Sequence, residues 1–396
     1  MKNNKSLILF AVFFIIYEFN AYIANDMIMP GMIKVITEFN SPVENIAKSL
    51  SLFIIGGSSL QIFLGPLCDR YGKRNILLAG NTLFLIASGI IPFVVNIDQF
   101  LAARYFQGLG LCFIFIGYAM IHELFDDKAA VKLCTLIANI SVFAPLLGPV
   151  IGSAIIVAAN WRYVFIVTAI LAVTSLIGLA KNMPNNKPDT PRMNLKEVLQ
   201  TYVKILSTRT LLQGGLIIAL AMLPMIAWIG MAPILVMQIM GKSFGAYIIY
   251  QSFVFGGFIL SSISIQFVAG RFSFYTMITR GTMIALIGLL ISVFGHNSNE
   301  IFVFGLFVAS FGIGLFNGSI YRIAITSTGL SGSMSAASLN IIQATMLAAG
   351  VEILNDLCSK FKYSTLSFSM LNLIVGIILS VLCFNYAKLV KSRLWQ

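Results

Sequence analysis

Two carboxylates, Glu18 and Asp26, lie eight residues apart in an apolar run, Leu7–Ile33, that carries no other acidic residue. A charged side chain at mid-bilayer costs about 2.5–3.5 kcal/mol even on the lenient insertion scale. It therefore faces a bundle interior or a wet cavity and marks a candidate functional site. Eight residues on an α-helix differ by about 80° in direction and about 12 Å in height. Both acids can line one cavity at two depths, with Tyr22 and Asn25 between or beside them. Loss of water disfavours the charged form of a carboxyl, so such a group can hold a proton, release it, or hold a cation in its place. Proton-coupled exchange needs little more than that competition. The plain alternative is a pair of helix-end acids reaching water, and Asp26, close before Pro30-Gly31, is nearer an end than Glu18.

A lone cation, Arg104, stands near the start of another apolar run, in Arg104-Tyr105-Phe106-Gln107-Gly108. It calls for a carboxylate or backbone carbonyls, and it can couple to the protonation of an acid in the first helix or snorkel to the interface. Glu352 and Arg322 sit nearer the ends of their runs and carry weaker arguments. The segment Gly65-Pro66-Leu67-Cys68-Asp69-Arg70-Tyr71-Gly72-Lys73-Arg74 is the most specific motif. Gly-Pro ends one helix, Gly72 permits a tight reversal, Asp69 can cap or face a helix N-terminus, and Arg70, Lys73 and Arg74 hold the loop in the cytoplasm. Ala144, Gly148 and Gly152 recur every four positions and form one smooth stripe for close helix contact. Pro145 and Pro149 in the same stretch free carbonyls and bend the helix, so this helix can pack in one state and rock in another.

The elements that must position these residues follow from composition. The 396-residue chain is 58% hydrophobic and 10% charged, with a mean hydropathy of +0.92; soluble domains are about 25% charged. Apolar runs fall at 7–33, 45–68, 75–95, 98–121, 131–158, 162–180, 211–237, 245–268, 275–295, 300–325, 333–356 and 364–387. The expected fold is an all-α integral membrane protein of twelve transmembrane helices. The first run, although preceded by Lys2 and Lys5, is too long for a signal peptide and contains Glu18. Eighteen of the 26 Lys and Arg lie on the side of both termini, six lie opposite, and Arg104 and Arg322 lie within spans. That bias places both termini in the cytoplasm. A polar connection rich in Pro, Asn and Lys divides the chain into bundles 1–180 and 210–396, with 181–209 as a cytoplasmic linker. Gly56-Gly57 recurs as Gly256-Gly257, Gly80 as Gly281, and Gly108–Leu111 as Gly312–Leu315, which suggests a duplicated six-span unit.

The net charge of +12 is spread over short loops, without the patch a nucleic-acid partner requires. Cys68, Cys112, Cys134, Cys358 and Cys383 form no C-x-x-C or Cys/His cluster, so neither a metal site, a cofactor nor a disulfide framework is implied. No Ser/His/Asp or phosphate-binding arrangement exists, and His122 and His296 read as solvated residues at helix ends. An enzyme is not expected.

These motifs together resemble the major facilitator superfamily. Gly65–Arg74 looks like its cytoplasmic signature between the second and third helices, Arg104–Gly108 like its fourth-helix Arg motif, and Ala144–Gly152 like its antiporter motif. Trp161-Arg162-Tyr163-Val164-Phe165 is similar to the opening of the sixth helix in drug/proton antiporters. More narrowly, Tyr17-Glu18-Phe19 and Asn25–Met32 look like the first helix of MdfA-type multidrug/proton antiporters. Ala138-Asn139, Leu223-Pro224, Ala227-Trp228-Ile229 and Phe311–Leu315 followed by Arg322 extend the likeness. The resemblance implies two six-helix bundles. Glu18 and Asp26 would be the proton and substrate carboxylates, with Arg104 coupled to them. Tyr22, Asn25, Asn139 and Trp228 would line the cavity. Gly65, Asp69, Arg70, Gly72 and Arg74, with Pro145, Gly148, Pro149 and Gly152, would form the conformational gate. The second half departs more, since its counterpart of the basic loop, Ala269-Gly270-Arg271-Phe272, lacks an Asp.

The implied activity is multidrug efflux, and with it antibiotic resistance: a monomeric antiporter in the bacterial inner membrane exporting lipophilic, often cationic, molecules against protons by alternating access. Its partners are protons, a small-molecule substrate and the bilayer. One alternative is a dedicated proton-driven exporter of a single endogenous metabolite such as a siderophore, whose loss would impair physiology while hardly changing drug sensitivity. A more remote one is a non-transporting receptor on the same fold, which would tolerate Glu18→Gln with Asp26→Asn.

Overall fold

The computed structural model describes residues 4–184, 195–268, 272–329 and 332–393, and the elements among them are helices. They gather into two compact units, residues 1–202 and 203–396. In the first, α1 (Asn4–Ile28) passes through a 3₁₀ turn at Met29–Gly31 into α2 (Met32–Glu38). There follow α3 (Asn45–Ser59), α4 (Gln61–Tyr71), α5 (Lys73–Ile90), α6 (Ile97–Cys112), α7 (Ile114–Leu124), α8 (Asp127–Val142), α9 (Ala144–Ala158) and α10 (Arg162–Asn182). The second contains α12 (Arg209–Ala232), which continues as a π-helix over Pro233–Ile239, then α13 (Phe244–Val268), α14 (Phe274–Phe294), α15 (Asn299–Thr326), α16 (Gly332–Lys360) and α17 (Thr365–Arg393). Between α10 and α12 lies α11 (Leu195–Leu206), in which the division of the units falls. The polar composition of 181–209 concealed this helix. It buries Tyr202 and Ile205, three apart, and exposes Val203 and Lys204, so its signal is one-sided periodicity rather than hydropathy.

Ten helical runs among the described residues are long and apolar enough to cross a bilayer, and eleven if α3 and α4, bent by 42°, count as one. The expected run 131–158 is divided at Phe143 into α8 and α9. Pro145 has no N–H to give and its ring excludes an uninterrupted helix behind it, and α9 alone is a shorter apolar helix. The outer surface suits lipid: Phe93 and Phe294 are 81% and 83% exposed, and Ile86, Ile90, Ile170, Ile287 and Val381 are exposed too. In water such a surface would be an aggregation liability.

Polar contacts mark the ends of the first unit. At one end Ser6 Oγ donates to Asn182 O at 3.0 Å, Arg74 Nη2 donates to Ala180 O at 2.5 Å, and Lys73 pairs with Glu123. At the other, Glu38 takes Arg162 Nη1 at 2.6 Å and Trp161 Nε1 at 2.7 Å, while Arg162 Nε donates to Pro92 O at 3.0 Å. Between them the helices pack at glycine. A Cβ on Gly56 would lie 2.3 Å from Tyr105 O, and one on Gly108 2.2 Å from Phe53 O, so α3 and α6 meet backbone to backbone.

The second unit repeats this contact: a Cβ on Gly257 would lie 2.3 Å from Phe307 O. Likewise Gly110 abuts Phe84 and Gly312 abuts Ala285. By packing, Gly56 corresponds to Gly257 and Gly110 to Gly312. The sequence repeat had paired Gly256 with Gly56 and Gly312 with Gly108, but a Cβ on Gly256 would meet nothing within 4 Å. Tandem glycines leave the register open until a neighbouring helix fixes which one is in contact.

Candidate proton and cation site

The rotation of α1 is set by two polar side chains. Tyr17 Oη donates to Gly110 O of α6 at 2.5 Å, and Asn20 Nδ2 donates to Thr168 O of α10 at 2.9 Å. With those faces anchored, both acids turn inward: Glu18 is 1% exposed and Asp26 5% exposed. Glu18 Oε1 accepts the hydroxyl of Tyr118, on α7, at 2.7 Å.

Arg104 of α6 is fully buried, with its guanidinium carbon 4.4 Å from the centre of the Phe53 ring. Its Nη2 donates to Asn25 Oδ1 at 2.5 Å, its Nε to Ser49 Oγ at 3.2 Å and its Nη1 to Gln107 Oε1. Gln107 Nε2 in turn donates to Ser88 Oγ at 2.9 Å. The carboxylate or backbone carbonyls expected around this cation are replaced by neutral side-chain oxygens. Asn25 makes the substitution workable, because an amide accepts with its oxygen while donating with its nitrogen. Its Nδ2 donates to Asp26 Oδ1 at 3.4 Å. Among the described residues Asp26 makes no ion pair within 4 Å, so cation and acid are joined through one amide rather than directly.

The small-residue stripe of α9 lies against this acid. A Cβ on Gly148 would sit 2.5 Å from Asp26 Cβ, and one on Gly152 1.9 Å from Met27 O. Pro149 and Ala144 are buried and Pro145 half-buried. The stripe thus brings α9 onto the backbone that carries Asp26.

Gly65-Pro66 does not end a helix as expected: α4 runs through Pro66 to Tyr71, and the reversal falls at Gly72, which has φ 84° and donates its N–H to Cys68 O at 2.8 Å, a left-handed conformation that a side chain would strain. Arg74 ties to the end of α10, and exposed Arg70 lies over the Tyr71 ring at 5.2 Å. Asp69 is half-buried and, among the described residues, makes no ion pair within 4 Å; a Cβ on Gly65 would meet nothing within 4 Å. Tyr22 is 37% exposed. The side chain of Asn139 lies outside the described residues. Trp228 belongs to the second unit, where it is buried against Phe302 and Phe368, with ring centres 5.9 and 6.1 Å away. Thus α1, α6 and α9 bring together Asn25, Asp26, Arg104, Gly148 and Gly152. Glu18 has its own partner, and the loop residues lie elsewhere. Among the described residues no group of three His, Cys, Asp or Glu is placed to hold a metal.

Five participants escaped the sequence reading: Ser49, Phe53, Ser88, Gln107 and Tyr118. Gln107 alone had a usable signal, since it follows Arg104 by three positions and so shares its helix face.

The description of the Major Facilitator Superfamily matches residues 14–351. The chain is 34% identical over 383 residues to the multidrug transporter MdfA of Yersinia pestis bv. Antiqua (strain Angola), covering 94% of this chain and 92% of that protein. It is 32% identical over 385 residues to the multidrug transporter MdfA of Escherichia coli O157:H7, again over 94% and 92%. Among solved structures, the fold is similar to a bacterial homolog of the human lysosomal transporter Spinster in an inward-facing, unoccupied conformation, with TM-score 0.72 and 13% identity over 97% of each chain. It is also similar to a D-xylose-proton symporter, with TM-score 0.70 and 15% identity over 93% of this chain and 97% of that one. A family match across most of the chain, together with relatives of this similarity along nearly its whole length, places it among transporters rather than enzymes: the chain belongs to the Major Facilitator Superfamily and is a multi-pass membrane protein related to MdfA-type multidrug transporters.

Proposed function

We propose that this protein is a proton-coupled antiporter of a bacterial inner membrane that exports lipophilic, often cationic, small molecules by alternating access. The observation that carries the reading is the state of Asp26: buried, yet held from Arg104 by Asn25. A carboxylate locked in an ion pair would have little left to offer. One joined to its cation through a neutral amide can take a proton or a substrate cation in turn. The multidrug function in the names of the relatives supports the same reading, as do the apolar and aromatic side chains around the acids, which accommodate varied shapes.

In this mechanism twelve spans form two six-helix bundles, 1–180 and 210–396, joined by the cytoplasmic segment 181–209, and both termini lie in the cytoplasm. Open to the outside, Glu18 and Asp26 take protons. Open to the cytosol, they lose them to an arriving cation, which the bundles then carry outward by rocking. Arg104 senses the charge of Asp26 through Asn25, while Gly148 and Gly152 let α9 shift against α1 as that charge changes. Asp69 and its neighbours in Gly65–Arg74 serve the gate, and Tyr22, Asn139 and Trp228 contact substrate.

The test is binding of tetraphenylphosphonium, as a lipophilic cation probe, across pH. Proton and cation compete, so affinity is expected to rise with pH by up to about tenfold per unit for each proton displaced. Asp26→Asn should flatten that dependence. Affinity independent of pH in wild type would contradict exchange.

A further inference from the structure

The polar group around Glu18 does not end at its carboxylate. Tyr118, which donates to Glu18 Oε1 at 2.7 Å, is followed one turn later on α7 by His122. Residues four apart on a helix share a face, with Cβ atoms about 5–6 Å apart. Helical side chains lean toward the N-terminus, so the imidazole leans back over the turn that carries Tyr118, whose own ring leans on toward Glu18. His122 lies in the last turn of α7 and is exposed. It stands at the same end of the first unit as the Lys73–Glu123 pair. Its Nε2 is 3.7 Å from Cys134 Sγ of α8. A buried carboxyl and a phenol in hydrogen-bond contact with it are thus followed, one turn along the phenol's helix, by an exposed imidazole.

We propose that His122 is the proton-exchange residue of Glu18, a relay at the cytoplasmic mouth; the proposal rests on the reading of Glu18 as a titrating group. On release, the carboxyl proton passes to Tyr118 Oη while the phenol's own proton passes, through an intervening water, to an imidazole nitrogen. The phenol stays neutral, Glu18 becomes a carboxylate, and the imidazolium gives its proton to bulk water. Uptake is the reverse. Imidazole suits the post because it can take a proton on one ring nitrogen and give one from the other.

The groups packed around α7 leave this role to His122. From α1 come Glu18, the donor, and Tyr22, a second phenol near that of Tyr118, which cannot hold an extra proton as an imidazole does. From α5 comes Lys73, engaged with Glu123 of α7 itself. From α6 comes Cys112, whose thiol donates to Gly56 O at 3.2 Å. From α8 come Cys134, beside the imidazole, and the exposed Lys128 and Lys132. Asp126 is engaged in accepting the N–H of Ala129 at 2.9 Å.

Time-resolved infrared spectroscopy of the full chain in detergent, after a pH jump, would follow the protonated-carboxyl band that Glu18→Gln removes. His122→Ala is expected to slow relaxation of that band at least about tenfold, leave its final amplitude unchanged, and regain speed on addition of free imidazole. Tyr118→Phe keeps the ring against Phe14 and should slow the band without rescue by imidazole. An unchanged rate in His122→Ala, or a slowing that imidazole does not reverse, overturns the relay alone. If Glu18→Gln removes no band at any pH, the relay and the titrating role of Glu18 fall together.

Discussion

Asn25 holds the guanidinium of Arg104 with one end of its amide and the carboxylate of Asp26 with the other. Neither a hydrocarbon nor a carboxylate at this position can do both. Asn25→Leu keeps the approximate volume but leaves Arg104 short of a buried acceptor. A hydrogen bond to a charged group contributes about 1.5–3 kcal/mol, so a stability loss of that order is expected in chemical denaturation, with coupling between proton and probe lost as well. A variant that stays coupled would remove Asn25 from the mechanism. The charged members of this group were legible from sequence because charge in an apolar helix is costly wherever it occurs. Their neutral partners were not, since a Ser or Gln in such a helix is cheap and common. Ser49 reaches Arg104 across fifty-five positions of chain, a meeting that only tertiary packing decides.

The contact of α9 with α1 depends on the absence of a side chain at Gly152. A methyl group there would lie 1.9 Å from Met27 O, a backbone atom that cannot step aside. Gly152→Ala is therefore expected to force α9 off α1 and cost about 1–3 kcal/mol, read as a lower unfolding midpoint, together with impaired transport. Gly89→Ala, where a Cβ meets nothing within 4 Å, serves as the control and should not destabilise. An unaltered midpoint in Gly152→Ala would mean that the helices are not in close contact in the membrane. The four-residue spacing of the stripe announced a packing face, but not its partner. That the face receives Asp26 required the structure. The prolines announced a bend in the run 131–158 but not a full break at Phe143, because hydropathy is continuous across it, and α11 was hidden inside a segment whose mean polarity masks one apolar face.

At the scale of the molecule, two units built on the same glycine contacts differ in chemistry. By the register that matches Tyr105 with Phe307, Arg104 corresponds to Leu306 and Gln107 to Ala309. The buried guanidinium and its amide partner have no counterpart in the second unit at those positions, so the mechanism proposed above would place proton handling in the first unit. The charge bias of the loops predicts that reporters fused to either terminus are active only in the cytoplasm; a terminus found outside would invert the direction of transport proposed above. The most direct test of exchange is proton release from the purified full chain in weakly buffered detergent on addition of tetraphenylphosphonium. Exchange predicts that binding of the probe acidifies the solution in wild type and leaves it unchanged with Glu18→Gln and Asp26→Asn combined. Probe that binds wild type without liberating protons would contradict it.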